Sequence, residues 1–522
     1  MKNNWLRDPN TPEWHRWFLG WLSFSLLTHL ICSYFSVGYH SIDEYFQILE
    51  FLNFKLGHTP QAVLPVEFAE QMRPWLQPAF YYGCVKLLKW VGIESPFVWS
   101  WVFRIFCSCL GWVSLVYLAI CSRFWFKDSR AKKFCLAAIG LLWFLPALHS
   151  RPSSEGLGGS FFVIGLCMTY LTTVLPVGVT RGRFGWWGAL FSGVFFGLSF
   201  ECRFQMAIMI FGALAWILYF KKARWEQLLA CGAGFLLIFA LGRWVDAWGY
   251  GVWAWSPWKY FSYNLVRGGV SQYGDSPWWD IFRMSLTESW PPLGLILLLG
   301  TLVAFVRHPR HLLTWAQVPF FMVHEMIGHK ELRFFFPMVS AGPVLLTLCF
   351  YSQKSGFFSF YPIHKTLGRL LKWVLGLLVI DNCVALIVLT GSPASRTVLF
   401  YEALYQKKNI HPEITTLFTL ERNPYEIFGS PTYFYHPPGL EVLKVESPDF
   451  LIQSIQKSES PIYLVHPSFD LPRGAPILSS LCHPIYQTLP HWVKYLNFQN
   501  VGVRGTWLER VNVWGLFECK RI

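Results

Sequence analysis

Repeated long apolar stretches constrain the fold of this chain more than any other feature. Between Trp17 and Thr390, runs of roughly 15 to 24 residues recur, close to the roughly 20 residues that carry an α-helix across a bilayer. Over its 522 residues the chain is 53% apolar and only 14% charged, a composition that soluble domains do not sustain. The sequence therefore predicts an all-α polytopic membrane bundle.

Length and hydropathy place about eleven transmembrane helices along the chain. The segment 76–92 is expected to lie on the membrane surface, because Lys86 and Lys89 interrupt its apolar character. The first run is expected to be a retained anchor, since no small-residue cleavage site follows it. The predicted helices are 17–35, 97–120, 134–148, 157–177, 185–200, 205–219, 228–242, 292–306, 312–327, 334–350 and 370–390.

The distribution of basic residues predicts the orientation of the bundle. The net charge is +14, but the basic residues fall in short clusters between apolar runs and form no basic face of the kind that binds nucleic acid. These clusters share the N-terminal side, so the positive-inside rule places the N-terminus in the cytoplasm and the C-terminus in the lumen or periplasm. The far side then receives the long loops 36–96 and 243–291 and the short links 149–156, 201–204 and 328–333.

The last part of the chain has a different composition. From about residue 391 the apolar runs give way to short alternating stretches separated by Pro- and Gly-rich turns. We therefore expect a membrane domain over 1–390 and a small mixed α/β extramembrane domain over 391–522. The chain has 13 cysteines and no CxxC pair, so no metal site is implied. Cys482 and Cys519 are the cysteines of the polar tail, and a disulfide and two free thiols both remain open for them.

Two adjacent carboxylates, Asp43 and Glu44, follow the first helix on the far side. A fixed carboxylate at this position is suited to accept the proton of a sugar hydroxyl as it attacks an activated sugar. Taken alone, an acidic pair at a membrane surface is more often only surface charge. Farther along the loop, Glu67 and Arg73 are expected either to form an ion pair or to shape a site. The two outcomes are compatible, because an ion pair can itself shape a site.

A cationic segment lies between two apolar helices on the far side. His329, Lys330 and Arg333 fall within five residues and would suit a phosphate group. Anchoring of these side chains in the lipid headgroups is the alternative. Arg203, at another far-side helix end, is expected to contact headgroups or the helix end. The loop around Tyr273 and Trp278 fits either a sugar site or an interfacial aromatic belt.

Taken together, four separated motifs resemble those of the glycosyltransferase family 22 mannosyltransferases. They run in the same order as in that family and cover the membrane part of the chain. Two positions depart from the family pattern, because Ser41 and Ile42 precede the acidic pair where a Pro is common, and Pro74 follows Arg73 where a Ser is usual. The motifs are His40–Glu50, Glu67 with Arg73, Tyr273–Trp278, and His329–Pro337.

The resemblance implies a GT-C type fold and a metal-independent hexosyltransferase that needs no cofactor. By it, Asp43 is the base, Glu44 its supporting acid, and His329, Lys330 and Arg333 the donor-phosphate pocket. The remaining motif residues expected to bind substrate or shape the site are Gln47, Glu67, Arg73, Tyr273 and Trp278.

The implied reaction transfers mannose from a polyprenyl or dolichyl phosphate donor to a glycolipid or lipid-linked glycan, with inversion to an α-mannoside. The membrane would be the endoplasmic reticulum in a eukaryote and the inner membrane in a bacterium. The alternative is a polytopic transporter of a polar or lipid-linked substrate. Charge placement argues against it, because the ionisable residues concentrate at one face, with Glu325 and Asp381 as the main mid-helix exceptions.

Overall fold

Helices form most of the protein. The computed structural model describes residues 12–173, 182–221, 223–351, 365–412, 414–471, 476–496 and 513–521. Its contacts divide the chain into two compact units. The first unit, here called the helical unit, comprises Met1–Phe35, Val66–Gly83 and Val102–Ser392; the second, here called the mixed unit, comprises Ser36–Pro65, Cys84–Trp101 and Pro393–Ile522.

Each of the predicted apolar runs is helical within the described residues. The helices before residue 251 are α1 (Pro12–Phe35), α2 (Phe51–Lys55), α3 (Val66–Ala69), α4 (Leu76–Trp90), α5 (Pro96–Trp125), α6 (Ser129–Leu141), α7 (Phe144–His149), α8 (Ser154–Thr173), α9 (Gly182–Cys202), α10 (Met206–Trp216) and α11 (Trp225–Tyr250). Those after it are α12 (Ser256–Phe261), α13 (Asp280–Thr287), α14 (Leu293–Arg307), α15 (Leu312–Met326), α16 (Phe336–Val339), α17 (Gly342–Phe350), α18 (Lys365–Gly391), α19 (Arg396–Ile410), α20 (Pro448–Lys457) and α21 (Pro476–Leu481). The end of the predicted helix 157–177, from residue 174, lies outside the described residues.

Two runs that were predicted as single helices are broken, and a proline explains each break. The run 134–148 divides between α6 and α7, where the ring of Pro146 prevents continuous helical bonding back to residue 142. The run 334–350 divides into α16 and α17, which are bent by 74° at the break. Pro343, in the first turn of α17, has the same effect on the carbonyl of residue 339.

Five helical segments of the described chain are long and apolar enough to cross a membrane, or six if the bent pair forms one span. They are Trp14–Phe35, Pro96–Trp125, Ser154–Thr173, Trp225–Tyr250 and Lys372–Ile410. Shorter apolar helices cover Met206–Lys221 and Leu293–Arg307. The multi-pass character of the chain follows from these segments, whereas the count of eleven spans stays a prediction.

Within the helical unit, α9 and α11 pack with their backbones in direct contact. A Cβ atom added at Gly193 would lie 1.8 Å from the carbonyl oxygen of Cys231, and one added at Gly234 would lie 2.1 Å from that of Leu190. Such distances are impossible for any side chain, so glycine is required at both positions. This close approach is here called the glycine seam. It brings the C-terminal ends of the two helices together.

The mixed unit contains a five-stranded sheet. Its strands are β1 (Thr416–Thr419), β4 (Glu441–Lys444), β5 (Ile462–His466), β6 (Cys482–Gln487) and β7 (Gly515–Cys519), in the order β4-β1-β5-β7-β6; a separate short hairpin is formed by β2 (Glu426–Ile427) and β3 (Ser430–Pro431). The strands β4, β1 and β5 are parallel, and β7 runs antiparallel to both of its neighbours. Two of the short alternating stretches after residue 391, 462–465 and 514–517, therefore fall on β5 and, from Gly515, on β7. The domain division at residue 390 stays a prediction, and by contacts the mixed unit also includes 36–65 and 84–101.

The sheet packs against α20 and α21 through a small apolar core. Leu451 and Ile455 of α20 lie against Leu464 of β5 and Phe517 of β7. The cysteine pair that the sequence left open is a disulfide, which joins Cys482 to Cys519 at facing positions of β6 and β7.

Candidate active site

The acidic motif of the mixed unit lies on a π-helical turn, Glu44–Glu50. Asp43 precedes this turn and is only partly buried, whereas Glu44 and Gln47 are buried. The backbone N–H of His40 donates to Glu44 Oε2 at 3.2 Å. Of the two predicted carboxylates, Asp43 is therefore the one with access to solvent, and Glu44 is held within the fold. Because π-helical turns are often found at functional sites, this one is consistent with the predicted role.

A third carboxylate, Glu50, fixes the end of the same turn. Its Oε1 accepts hydrogen bonds from the backbone N–H groups of Tyr433 at 2.7 Å and Phe434 at 3.0 Å, and its Oε2 accepts one from Thr59 Oγ1 at 2.5 Å. Burial raises the pKa of Glu50 above its ordinary value, and these hydrogen bonds oppose the rise because they favour the charged form. The contacts tie the acidic motif to residues 433–434 of the same unit.

In the helical unit, Glu67 and Arg73 form the expected pair, with Arg73 Nη2 3.7 Å from Glu67 Oε1. The backbone of Arg73 is also fixed, because Tyr250 Oη accepts from its N–H at 3.0 Å and donates to its carbonyl at 2.7 Å. The Arg73 guanidinium lies 5.4 Å from the ring centre of Tyr260, whose hydroxyl accepts from Gln205 Nε2. The pair is thus anchored on α11 and on the turn after α9.

A buried ion network joins the ends of α9 and α11. Arg243 donates to both carboxylate oxygens of Glu201, at 2.9 and 2.7 Å, and to Asp246 Oδ2 at 2.6 Å. The other oxygen of Asp246 accepts from the backbone N–H of Trp75 at 2.8 Å. This group of Glu201, Arg243 and Asp246, here called the buried triad, therefore holds the segment that carries Arg73.

The cationic motif is held by carboxylates and carbonyls. Arg333 Nε donates to Glu331 Oε2 at 2.5 Å, and its Nη2 donates to Glu331 Oε1 at 2.8 Å. His329 Nε2 lies 3.1 Å from the same Oε1. Lys330 is buried, and its Nζ donates to the carbonyls of Ile327 at 2.7 Å and Ser276 at 3.2 Å. The three predicted cations are thus brought together on one short loop.

A second carboxylate, Glu155 at the start of α8, reaches this motif from another element. Its Oε1 pairs with Arg203 Nη1 and lies 3.5 Å from Arg333 Nη1. Both guanidiniums lie over the ring of Phe334, at 5.2 Å for Arg203 and 5.4 Å for Arg333. Arg203 was expected to contact headgroups or the helix end. It is buried and pairs with Glu155 at the start of α8, so it belongs to this network.

The loop after α12 packs against the cationic motif. The ring of Tyr273 lies 5.8 Å from that of His329, and Ser276 N–H donates to the carbonyl of Gly328 at 2.8 Å. A Cβ atom at Gly328 would lie 2.3 Å from Asp275 Oδ1, so the two loops meet closely there. Trp278, from the same predicted motif, is 69% exposed. Tyr273 is therefore brought to the cations, whereas Trp278 remains available to a sugar or to the membrane interface.

The sequence of the chain matches a known protein family. The model of the Alg9-like mannosyltransferase family matches residues 21–436. The chain belongs to this family. The predicted resemblance to glycosyltransferase family 22 is thereby confirmed, and membership of this family supports a glycosyltransferase over a transporter.

Curated relatives of the chain carry related names. The "Probable Dol-P-Man:Man(7)GlcNAc(2)-PP-Dol alpha-1,6-mannosyltransferase" of Schizosaccharomyces pombe is 32% identical over 136 residues, 25% of this chain and 23% of that protein. "Mannosyltransferase APTG1" of Arabidopsis thaliana is 23% identical, over 62% of this chain and 56% of that protein. "GPI alpha-1,2-mannosyltransferase 3" of Danio rerio is 23% identical, over 59% and 54%. The chain thus spans from about a quarter to a little over half of the length of these relatives.

A solved structure supports the fold. ArnT from Cupriavidus metallidurans, crystallised with undecaprenyl phosphate, aligns with a TM-score of 0.51 at 11% identity, over 96% of this chain and 98% of that one. At this identity the likeness concerns the fold alone. It confirms the expected GT-C type of helical fold.

Sequence reasoning missed several charged residues of these networks. Glu155, Glu201, Arg243 and Asp246 all lie at the ends of apolar helices. A signal was present, because three of the links that the charge pattern placed on the far side, 149–156, 201–204 and 328–333, contribute to the Glu155 pairing. Opposite charges on links of one membrane face are candidates for pairing, although the sequence does not say which will meet.

The described residues contain no group of three or more His, Cys, Asp or Glu side chains that could hold a metal ion. The charged groups of the described site instead pair with one another and with backbone groups.

Proposed function

We propose that this mannosyltransferase transfers mannose from a polyprenyl or dolichyl phosphate donor to a lipid-linked glycan or glycolipid, with inversion to an α-mannoside. The observation that carries the proposal is the cationic motif, in which His329 and Arg333 are held by the Glu331 carboxylate and Lys330 by backbone carbonyls, all on one loop. Cations preorganised in this way suit the phosphate of a lipid donor, since they stabilise the charge that develops on it. Dolichyl phosphate mannose is also in the name of the S. pombe relative.

The chemistry assigns one role to each group. Asp43 accepts the proton of the acceptor hydroxyl while the hydroxyl oxygen attacks the anomeric carbon from the side opposite the phosphate. The bond between that carbon and the phosphate oxygen breaks, and the electron pair stays on the phosphate, where His329, Lys330 and Arg333 stabilise it. The carbon inverts from a β donor to an α product. Glu44, buried beside Asp43, supports the base.

The leaving group in this scheme is a phosphate that protein cations can stabilise, so we propose that the reaction needs neither a metal nor a cofactor. Gln47, Glu67, Arg73, Tyr273 and Trp278 are proposed to bind substrate or shape the site. Tyr273 has the clearest support among them, because its ring lies 5.8 Å from that of His329.

We also propose that the N-terminus is cytoplasmic and that the C-terminal part of the mixed unit lies in the lumen of the endoplasmic reticulum or in the periplasm. The Cys482–Cys519 disulfide supports this orientation, because disulfides persist in those oxidising compartments and are rare in the cytosol.

The first test is mannose transfer by the purified chain from a synthetic isoprenoid phosphate mannose to two panels of mannosylated acceptors, lipid-linked oligosaccharides and glycosylphosphatidylinositol precursors. The wild type is compared with Asp43→Asn, which keeps the size of the side chain and removes the base. We expect transfer to one panel, and a loss of roughly 100-fold or more in the variant.

The control is Asp449→Asn, which changes an exposed carboxylate in the first turn of α20 and should leave transfer unchanged. Full activity in Asp43→Asn would refute the assigned base. No transfer by the wild type to either panel would refute the proposed acceptor class.

A further inference from the structure

Arg333, the central cation of the proposed phosphate site, is held by two carboxylates on different edges of its guanidinium. Glu331 takes the edge formed by Nε and Nη2, at 2.5 and 2.8 Å. Glu155 faces Nη1 at 3.5 Å. The edge taken by Glu331 presents two parallel N–H groups, a geometry that also binds phosphate with two hydrogen bonds.

The two carboxylates differ in how firmly they are held. Glu155 is 3% exposed, lies at the start of α8 and is shared with the buried Arg203. Removing it from Arg333 would leave buried charge without compensation, which is costly. Glu331 is 36% exposed and lies on the same loop as Arg333, so its carboxylate can turn into solvent at little cost.

Glu331 also contacts a second member of the cationic motif. Its Oε1 lies 3.1 Å from His329 Nε2 while it accepts from Arg333 Nη2. One carboxylate therefore contacts both the Arg333 guanidinium and the His329 imidazole. It does so through two oxygens that share one negative charge. A phosphodiester would present two oxygens and one negative charge to the same donors.

We propose that Glu331 is an internal stand-in for the donor phosphate, which it exchanges with the lipid donor, while Glu155 remains bound and positions Arg333 throughout. This inference rests on the proposed function, because it takes an isoprenoid phosphate as the ligand. The exchange replaces one negative charge with another, so the cations are never left bare. When no donor is bound, Glu331 keeps His329 and Arg333 ordered. This lowers the apparent affinity for the donor, because the phosphate binds only the fraction of molecules in which Glu331 has turned away.

The test is direct binding of an isoprenoid monophosphate without sugar to the purified full chain, so that no turnover is needed. In Glu331→Gln the competitor loses its charge, and we expect the dissociation constant to fall by roughly 3- to 30-fold. This is less than a fully buried charge-assisted contact would give, because Glu331 is partly exposed. In Glu155→Gln, Arg333 loses its anchor, and we expect binding to weaken by roughly 10-fold or more, with partial recovery in Glu155→Asp. The same signs should appear in the KM for the donor, with the KM for the acceptor unchanged in Glu331→Gln.

A matched control is Glu70→Gln. Glu70 forms a comparable pair with Arg267, at 2.5 Å and with 33% exposure, and is not among the proposed site residues. We expect no change in phosphate binding. Glu331→Asp, which keeps the charge on a shorter side chain, should bind more tightly than the wild type but less tightly than Glu331→Gln.

The sign of the change decides the matter, because a residue that merely holds Arg333 in place would weaken binding when it is neutralised. Equal or weaker binding by Glu331→Gln, with normal binding by the wild type, would overturn the stand-in role and leave the proposed function intact. If the wild type did not bind isoprenoid phosphate at all, the proposed donor site itself would fail.

Discussion

The two units offer contrasting ways of holding a buried carboxylate. In the helical unit, cations and carboxylates from separate helices pair with each other, as in the buried triad and in the contacts of Glu155. In the mixed unit, Glu50 is held by neutral donors, namely two backbone N–H groups and one hydroxyl. Charge pairs depend on both partners, because the loss of one leaves the other buried and bare. Loss of Glu50 would leave only unsatisfied neutral donors, so the Glu50 site should tolerate a single change better than the buried triad does.

Arg243→Met is expected to have the largest effect on stability, because it removes the cation of the buried triad. The change leaves Glu201 and Asp246 buried without their cation, and we expect a loss of about 3–5 kcal/mol in the free energy of unfolding. Thermal denaturation in detergent measures it. The double variant Glu201→Leu with Arg243→Met removes both charges of one pair and should recover part of the loss. Charge pairing would not be the cause if the double variant were as unstable as the single one.

The disulfide of the mixed unit is expected to have the next largest effect. Its cysteines are 37 residues apart, and Cys519→Ser should lower the stability of this unit by about 2–4 kcal/mol, because the unfolded chain gains freedom. Denaturation with and without reductant measures it. The control is Cys231→Ala, which changes a free buried cysteine of α11. Reductant should lower the stability of this variant by the same amount as that of the wild type. A wild type that is indifferent to reductant would contradict the prediction.

Glu50→Ala tests the neutral donors directly. It leaves the N–H groups of Tyr433 and Phe434 without their acceptor, and we expect a loss of about 1–3 kcal/mol. Hydrogen exchange at these two amides should accelerate, whereas exchange in α9 should stay unchanged. Comparable acceleration in both units would show that the effect is global.

The smallest effect concerns pH. Because the pKa of Glu50 is raised by folding, its contribution to stability is complete below the pKa of the unfolded chain and is lost as pH rises through the folded value. Relative to Glu50→Gln, which does not titrate, the wild type should therefore lose stability as pH rises, by about 1.4 kcal/mol for each unit of pKa difference. Melting temperatures of both proteins between about pH 4 and 8 measure this difference. A difference that grows in favour of the wild type would reverse the assigned sign.

The sequence was most informative where one local pattern decides the structure. Apolar runs predicted the helices, and Pro146 and Pro343 explain the two breaks, which a stricter use of proline would have anticipated. The pairing of Glu67 with Arg73 was also among the expected outcomes, since the two residues are close in the chain. The cationic motif was found for the same reason, because its members lie within five residues.

Pairings between distant segments were not accessible in the same way. Glu155 and Arg333 are separated by several helices, and their contact depends on how those helices pack. The strand order is a second case, since the last strand, β7, inserts between β5 and β6. The role of Glu50 likewise depends on residues 433–434, far along the chain. In each case the tertiary arrangement, rather than local preference, selects the partner.

The glycine seam has a consequence for the order in which the helices assemble during synthesis. If α9 and α11 both span the membrane, as the sequence predicts, Glu201 and Arg243 face lipid or headgroups until the two helices meet, and an isolated charge there is unfavourable. Since the seam lets the two backbones touch, the pair can close as soon as α11 has been inserted, without waiting for the C-terminal helices. A bulkier residue at Gly193 would then impair biogenesis first. Newly made chains would be retained by the insertion machinery or degraded early, so the defect would appear as a low yield of folded protein.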